Sequence, residues 1–234
     1  MVNLRKSRPR TVGHRGASAL APENTLRAIE LAISSRLDMV EVDVHLSRDG
    51  EVVVIHDADV QRAARREAVV RLTADELAAV DLGEGQGVPR LVDVFALARG
   101  RIGVYVELKG HTTGTALGQL VRSGAADGVE LVSGSFETPL VVELRDAAPH
   151  IPRSVLFRQT SIATMVRICA EVGATYAHPC FRPLKPPLVD DLHAAGLLVM
   201  APHTNDREEA RAFAAAGIDV LATDDPAVLA DFRG

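Results

Sequence analysis

The sequence predicts a (β/α)8 barrel, or TIM barrel, formed as a single domain by residues 1–234. Apolar segments of strand length alternate with segments of helical periodicity, which is typical of a parallel sheet with right-handed crossovers. Eight strand-like segments have helical segments between them, as this barrel requires. An open, doubly wound sheet is the alternative, because spacing alone does not show closure. The Gly-x-Gly-x-x-Gly motif typical of many such sheets does not follow the first strand.

The predicted barrel elements follow one another regularly along the chain. Strands are expected at residues 11–13, 39–46, 103–108, 129–135, 154–157, 175–177, 197–201 and 218–222. Helices are expected at residues 24–33, 91–98, 115–123, 138–147, 162–172, 187–195, 206–216 and 226–232. Pro22 and Asn24 are start signals for the first helix, and Asn24 is a candidate for its N-cap.

A short insertion is expected after the second barrel strand. Asp49-Gly50 is a strong hairpin-turn signal before the segment 51–55, which contains the apolar run 52–55. The stretch from there to about residue 90 is weakly patterned, apart from Thr73-Ala74-Asp75-Glu76, which resembles the capping box of a helix start.

Composition limits the location and the partners of the chain. The hydrophobic content is 47%, but no apolar run approaches the roughly 20 residues that span a bilayer, so stable membrane insertion is not expected. No apolar stretch of signal-peptide length follows the basic start 1–10, which favours a cytoplasmic location. A net charge of −5 and 3% aromatic residues argue against a nucleic-acid partner. Cys169 and Cys180 are expected to be reduced structural thiols. The oligomeric state is left open.

Glu41 and Asp43 stand two residues apart in a segment whose valines alternate with polar residues, as in a β-strand. Successive side chains of a strand point to opposite faces, so these two carboxylates share a face, with Cα atoms about 6 to 7 Å apart. A cation could bridge them. His56-Asp57 closes the next apolar run and adds polar groups nearby, which indicates a functional site rather than ordinary surface.

Other polar residues stand where predicted strands end. In a barrel of this kind the active site lies at the carboxyl ends of the strands, so these residues are expected to converge at one mouth. They are His14-Arg15, Glu41, Asp43, Glu107, Lys109, Ser135 and Thr223-Asp224. Three carboxylates without a cysteine or a clustered histidine set favour Mg²⁺ or Ca²⁺ over zinc.

A series of motifs spanning nearly the whole chain resembles the glycerophosphodiester phosphodiesterase family. The series is His14-Arg15-Gly16-Ala17, Pro22-Glu23-Asn24-Thr25, Glu41-Val42-Asp43-Val44, Asp49-Gly50, His56-Asp57 and Glu107-Leu108-Lys109, with looser matches at 133–136 and 217–226. The resemblance implies a TIM barrel and a divalent cation held by Glu41, Asp43 and Glu107. It also implies two catalytic histidines, His14 and His56.

The chemistry of these residues agrees with cleavage of a small-molecule phosphodiester. Arg15 and Lys109, with a cation, would stabilise charge that builds on the phosphate oxygens. Histidine ordinarily titrates near neutral pH, so two histidines can serve nucleophile and leaving group separately, and which one serves which stays open. The expected reaction converts a glycerophosphodiester to glycerol 3-phosphate and an alcohol.

Two segments depart from the pattern common in that family. The chain has Arg62-Ala63-Ala64 in place of Arg-Thr-Thr, and Pro202-His203-Thr204-Asn205 in place of Trp-Thr-x-Asn. An aromatic wall for the alcohol is therefore missing, and the insertion supplies few apolar groups, which favours a small polar diester. The alternatives are a lysophospholipase D or cyclising phospholipase-like activity, and a catalytically silent barrel that binds phosphate ligands.

Several polar residues have an interpretation other than a catalytic role. Ser135 is expected to be structural, and Asp224 could cap the last helix. His178, His193 and His203 have no partner evident in the sequence and are not assigned to the site.

Overall fold

The computed structural model describes residues 8–62 and 65–233. The first part of the basic start and the Ala63-Ala64 pair lie outside these residues. The strands are β1 (Arg10–Gly13), β2 (Met39–Leu46), β3 (Val52–Val54), β4 (Asp59–Arg62), β5 (Arg65–Ala68), β6 (Gly103–Leu108), β7 (Leu131–Ser135), β8 (Arg153–Phe157), β9 (Tyr176–Pro179), β10 (Leu198–Val199) and β11 (Val220–Thr223).

Eight α-helices and two 3-10 helices accompany these strands in the described residues. The α-helices are α1 (Leu26–Ser34), α2 (Ala74–Ala78), α3 (Leu91–Ala98), α4 (Thr113–Arg122), α5 (Thr138–Ala147), α6 (Ile162–Val172), α7 (Pro186–Ala194) and α8 (Arg207–Ala215). The 3-10 helices are Val69–Arg71 and Pro226–Phe232. The last predicted helix is therefore present, but as a 3-10 helix.

Eight parallel strands form the barrel, in the order β10-β9-β8-β7-β6-β2-β1-β11. A parallel bridge between Met200 and Val220 joins the two ends of this series, next to β10 and β11. The barrel prediction is thus confirmed, and the open-sheet alternative is wrong. The strand expected at 197–201 is regular only over Leu198–Val199, and Met200 contributes the bridge.

Side chains of β2 alternate between the two sides of the barrel wall. Val40, Val42 and Val44 pack outward in a core that includes Ile29 of α1 and Phe95 of α3. Glu41 and Asp43 therefore face inward, because strand side chains alternate. Burial of the valines stabilises the strand and holds the acidic face toward the barrel interior.

The barrel interior contains its own apolar cluster. One residue comes from each barrel strand, with Met200 directly after β10; the cluster consists of Val12, Met39, Tyr105, Val132, Leu156, Tyr176, Met200 and Val220. Each of these side chains is at most 9% exposed. This packing fills the interior, as is usual for the fold, and leaves the carboxyl-end mouth for a polar site.

The predicted insertion follows β2. The strand β3 pairs antiparallel with β2, with Val44 opposite Val54, and β4 pairs antiparallel with β5. The helix α2 begins with the predicted capping box of Thr73 and Glu76. A separate small core, including Val53 and Leu77, holds the insertion against the barrel.

The first helix begins one residue later than its start signals suggest. Thr25 is the N-cap of α1, since its side chain accepts a hydrogen bond from the N–H of Ala28. The N-cap prediction for Asn24 is wrong, because the Asn24 side chain is directed to β2 instead, where it donates to Oδ2 of Asp43 at 2.9 Å.

Two further features concern the helix lengths and the cysteines. In the part of the chain that the structure describes, the helices fall short of the length and apolar character that crossing a membrane requires. Cys169 and Cys180 are both free thiols, the first buried and the second partly buried.

Candidate active site

Glu41, Asp43 and Glu107 meet at the carboxyl-end mouth of the barrel. The register of β2 with β6 places Asp43 directly beside Glu107. One carboxylate oxygen from each of the three residues lies within 4.8 Å of the other two. Glu41 and Asp43 are 6% and 1% exposed. The sequence prediction of an inward acidic cluster therefore agrees with the geometry.

Glu41 has one carboxylate oxygen bound and one left over. Its Oε2 accepts a hydrogen bond of 2.8 Å from the backbone N–H of Arg15. Its Oε1 is buried and has no hydrogen-bond partner among the described residues. A buried charged oxygen in that condition is costly unless a cation or another partner is bound. The three oxygen donors fit a hard divalent cation such as Mg²⁺ or Ca²⁺.

The pKa shifts in the acidic cluster also favour a bound cation. Burial raises the pKa of Glu41 well above its usual range, and the charges of Asp43 and Glu107 raise it further. Burial and Asp43 also raise the pKa of Glu107, although Lys109 opposes them. A bound cation would relieve this repulsion.

Arg15 and Lys109 bring positive charge to the same acids. The Nζ of Lys109 lies 2.9 Å from Glu107 and 3.3 Å from Asp43. The Nε of Arg15 lies 3.4 Å from Asp43, and its Nη1 donates to both oxygens of Glu23 at 2.8 and 2.9 Å. The two cations partly offset the negative charge that the three carboxylates concentrate at the mouth.

The loop between β1 and α1 positions several of these groups through unusual backbone geometry. Arg15 and Asn24 have φ values of 55° and 59°, in the left-handed region that most residues avoid. The conformation of Arg15 directs its N–H to Glu41, and the conformation of Asn24 accompanies two hydrogen bonds between its side chain and Asp43. Asn24 donates to the Asp43 side chain and accepts from its backbone N–H at 3.1 Å. Strained conformations of this kind often occur at functional sites.

His14, at the end of β1, is held by a carboxylate. Its Nδ1 lies 2.7 Å from Oδ1 of Asp224, just after β11. Burial acts to raise the pKa of Asp224, but hydrogen bonds from His14, Asn205 and Ser18 outweigh it and hold that pKa well below its usual range. The ionised carboxylate favours a proton on Nδ1, so Nε2 is the nitrogen that His14 offers to a ligand.

Asp224 is this partner, rather than the helix cap that its position in the sequence suggests. The N-cap of the last helix is Asp225, which accepts from the N–H of Ala227. The pairing of β1 with β11 sets Gly13 beside Thr223, so that the residues that follow each strand meet. Asp224 stands at a predicted strand end, but its contact with His14 depends on the pairing of the first barrel strand with the last.

His56, the second predicted histidine, lines the same cavity as His14. This cavity has a volume of about 280 Å³ and is also lined by Glu41, Glu107 and Lys109. The Nδ1 of His56 lies 2.8 Å from Oδ1 of Asp57. Each of the two histidines thus has a carboxylate beside its Nδ1 and lines the cavity.

Three other histidines have partners that the sequence did not indicate. The His203 ring stacks on the His14 ring with centroids 4.1 Å apart and planes inclined by 6°. His178 donates from Nε2 to the carbonyl of Ala201 at 3.0 Å, and the Nε2 of His193 lies 2.7 Å from Asp219. Of these three, His203 is the one stacked on His14, and nothing in its sequence neighbourhood signalled the contact.

Ser135 and His45 take structural positions near the mouth. The Ser135 hydroxyl is buried and donates to the carbonyl of Leu108 at 2.6 Å, as its structural reading predicts. His45 shares the inward side of β2, and its Nε2 donates to the carbonyl of His56 at 3.1 Å. It thereby ties the second histidine to the barrel wall.

Comparison with known proteins gives a consistent picture. Residues 14–228 match the model of the glycerophosphoryl diester phosphodiesterase family. A glycerophosphodiester phosphodiesterase of Caldanaerobacter subterraneus is 29% identical over 235 residues, which cover 93% of this chain and 95% of the relative.

Solved structures agree over the same extent. The crystal structure of a glycerophosphodiester phosphodiesterase from Agrobacterium tumefaciens has a TM-score of 0.80 at 28% identity, covering 95% of this chain and 99% of its own. An Oleispira antarctica phosphodiesterase, solved in complex with the product sn-glycerol-3-phosphate, has a TM-score of 0.83 at 26% identity and covers 94% of both chains.

Proposed function

Because the chain belongs to the glycerophosphoryl diester phosphodiesterase family, we propose that it hydrolyses glycerophosphodiesters to glycerol 3-phosphate and an alcohol. Enzymes of this kind are phosphoric diester hydrolases. The observation that carries the proposal is the convergence of three carboxylates, two cations and two carboxylate-bound histidines at one mouth of the barrel. A small-molecule phosphodiester is the proposed substrate.

Glu41, Asp43 and Glu107 would hold a divalent cation, either Mg²⁺ or Ca²⁺. When bound, the cation supplies electrostatic stabilisation of the charge on the phosphoryl oxygens. The support is the buried, unpartnered Oε1 of Glu41 and the mutual repulsion of the three carboxylates.

Arg15 and Lys109 would bind the substrate's phosphate. Both side chains contact Asp43, so they stand at the edge of the proposed cation site. Positive groups held in place before the reaction stabilise developing phosphoryl charge without reorganising during it. The two side chains would therefore serve orientation as well as charge.

His14 and His56 would move the protons. One histidine deprotonates the attacking hydroxyl or water, and the other protonates the departing alcohol oxygen. Asp224 and Asp57 fix the Nδ1 side of each ring, which leaves both Nε2 atoms for these transfers. A positioned proton transfer of this kind contributes about 10²- to 10⁴-fold in rate.

A turnover assay on sn-glycero-3-phosphocholine, followed by phosphorus NMR, tests the proposal. The wild type should release glycerol 3-phosphate in the presence of Mg²⁺ or Ca²⁺ and lose activity with a chelator. His14→Ala should reduce kcat by at least about 100-fold. His150→Ala is the matched control, since His150 is exposed before β8, at the opposite end of the barrel.

Each other outcome counts against a specific part of the proposal. Activity that withstands the chelator contradicts the cation, and undiminished activity in His14→Ala contradicts its catalytic role. Accumulation of a cyclic phosphate supports the cyclising alternative, and turnover confined to lysolipids supports lysophospholipase D. Phosphate binding without turnover of any diester supports the catalytically silent barrel.

A further inference from the structure

We propose that His203 is a positioning residue that fixes the plane of the His14 ring. The two imidazoles lie face to face, with centroids 4.1 Å apart and planes inclined by 6°. Both residues line the cavity described above. The inference rests on the proposed function, because it assigns a role within the same site.

The His14–Asp224 contact alone does not define the ring. It restrains the distance from Nδ1 to the carboxylate oxygen, but coupled rotation about the two side-chain torsions of His14 can still tilt the ring while that distance is kept. A flat partner in contact with the ring face opposes that rotation. The hydrogen bond and the stack together therefore determine where Nε2 points, and a misplacement of about 1 Å in a reacting group can cost about 100-fold in rate.

The loop that carries His203 is itself well held. The His203 carbonyl accepts a hydrogen bond of 2.8 Å from Arg182, whose guanidinium also binds Glu209 at 2.6 Å. The next residue, Thr204, is 4% exposed and donates its N–H to the carbonyl of Ala222 at 2.9 Å. The stacking surface is thus attached to β11 and to α8.

The same loop also holds the carboxylate. The side chain of Asn205 donates to Oδ2 of Asp224 at 2.6 Å and accepts from the Asp224 N–H at 2.9 Å. One short segment therefore sets the carboxylate that binds the edge of His14 and the ring that covers its face. The position of the His14 ring therefore depends on the conformation of the loop that carries His203 and Asn205.

A metal site is the competing interpretation of this cluster. Ligand atoms of His14, His203 and Asp224 lie within 4.8 Å of one another. A metal ion binds in the plane of an imidazole at about 2.0–2.1 Å from its nitrogen. Two nearly parallel rings 4.1 Å apart keep their lone pairs in separate planes, so they do not point at a common ion. The geometry favours stacking.

The charge state of His203 suits this role. Burial lowers the pKa of His203, and His14, Arg15 and Arg182 lower it further, while Asp224 opposes them. A neutral ring can cover His14 in both of its protonation states, because aromatic faces attract cations as well as neutral rings. The stack can therefore persist while His14 gains or loses its proton.

Kinetics of three substitutions at position 203 test the inference. His203→Ala and His203→Leu should lower kcat about 10- to 100-fold with little change in KM, since the plane of His14 is released. His203→Phe should keep kcat within about threefold of the wild type, because a flat ring remains. His150→Ala is the control, and melting temperatures establish that each variant is folded.

Three kinetic results would overturn the inference. Activity of His203→Ala equal to the wild type removes any role for the ring. A loss in His203→Phe as large as in His203→Ala means that the ring nitrogens, not the flat face, matter. A change confined to KM assigns His203 to substrate binding.

Proton NMR of the His14 ring gives a readout that needs no turnover. A stacked ring shifts the His14 ring protons upfield, so the shift should disappear in His203→Ala and persist in His203→Phe. Equal His14 shifts in the wild type and His203→Ala contradict the stack. If the wild type hydrolyses no diester, the proposed function fails, whereas the NMR result still decides the positioning of His14.

Discussion

At the scale of single residues, Glu41 combines three properties that rarely occur together in a stable interior. It is buried, one of its oxygens lacks a partner among the described residues, and two other carboxylates lie against it. Without a cation, this arrangement destabilises the fold, because buried like charges repel one another strongly. Much of the destabilisation from the site therefore comes from Glu41, which can be replaced by glutamine, an uncharged residue of the same shape.

Glu41→Gln should separate cation binding from folding. The amide side chain keeps an acceptor for the Arg15 N–H but removes one negative charge, so the melting temperature without metal should equal or exceed that of the wild type. Added Mg²⁺ or Ca²⁺ should stabilise the wild type, by about 2.7 kcal/mol at 100 times its Kd. The variant should lose most of this gain.

Thermal scans with and without metal measure both effects. Glu171→Gln, on the exposed side of α6, is the matched control and should keep the full metal response. A metal-induced rise in Glu41→Gln equal to that of the wild type would show that Glu41 is not a ligand.

Some site residues follow from the sequence and others do not. Strand alternation is a local property, and it put Glu41 and Asp43 on one face. The Asp224 contact requires β11 to lie beside β1, and the His203 contact requires the shape of a loop, so neither follows from local periodicity.

At the scale of elements, β7 depends on a glycine facing the barrel interior. A Cβ at Gly134 would overlap with the hydroxyl of Tyr105 and would lie 2.8 Å from the Ser154 carbonyl oxygen. Tyr105 is 1% exposed, so it has little room to move. The close approach of β6, β7 and β8 therefore requires the absence of a side chain there.

Gly134→Ala should destabilise the protein by about 1 to 3 kcal/mol through overpacking. Tyr105→Phe in the same chain should recover part of this loss, because it removes the nearest of the three overlapping atoms, the other two being Cβ and the carbonyl oxygen of Ser154. Denaturant unfolding of both single variants and the double variant measures the coupling.

Gly103→Ala is the control for a glycine in a barrel strand. Its nearest side-chain atom is Cγ of the flexible Met39, at 3.0 Å, so the loss should be smaller. A double variant no more stable than Gly134→Ala would mean that the Tyr105 hydroxyl is not the obstacle.

Element boundaries were predicted less well than element order. The alternation of strands and helices follows from hydrophobic periodicity, and it was right around the whole barrel. The choice of Thr25 over Asn24 as the N-cap depends on Asp43, which competes for the Asn24 side chain. The short β10 depends on where Met200 meets Val220 across the closure.

At the scale of the whole molecule, His178 links stability to pH. Burial lowers the pKa of His178 to about 4, whereas an unfolded chain would bind this proton near pH 6.5. Because the unfolded state holds more protons between these values, stability should fall as pH decreases from about 6.5 toward 4. The loss from this one group is at most about 3.4 kcal/mol, at about 1.36 kcal/mol per pKa unit.

His178→Gln tests this dependence. The glutamine amide can still donate to the Ala201 carbonyl but does not titrate, so the variant should lose less stability over that range. Urea unfolding at pH 7, 6, 5 and 4.5 measures the difference, with exposed His150→Gln as the control. Parallel pH curves for His178→Gln and the wild type would contradict a His178 that stays neutral in the folded state.

Barrel closure has a consequence for association with other chains. A strand at the edge of a sheet offers unpaired N–H and C=O groups to strands of its neighbours. In the described residues, the parallel bridge between Met200 and Val220 and the neighbouring backbone hydrogen bonds of Ala201 and Asp219 join the two end strands of the eight-stranded series to each other. The two edges that remain on the β4–β5 hairpin are short and rich in arginine, which discourages further pairing. The fold that gathers the polar side chains at one mouth thereby also protects the backbone from edge-to-edge aggregation.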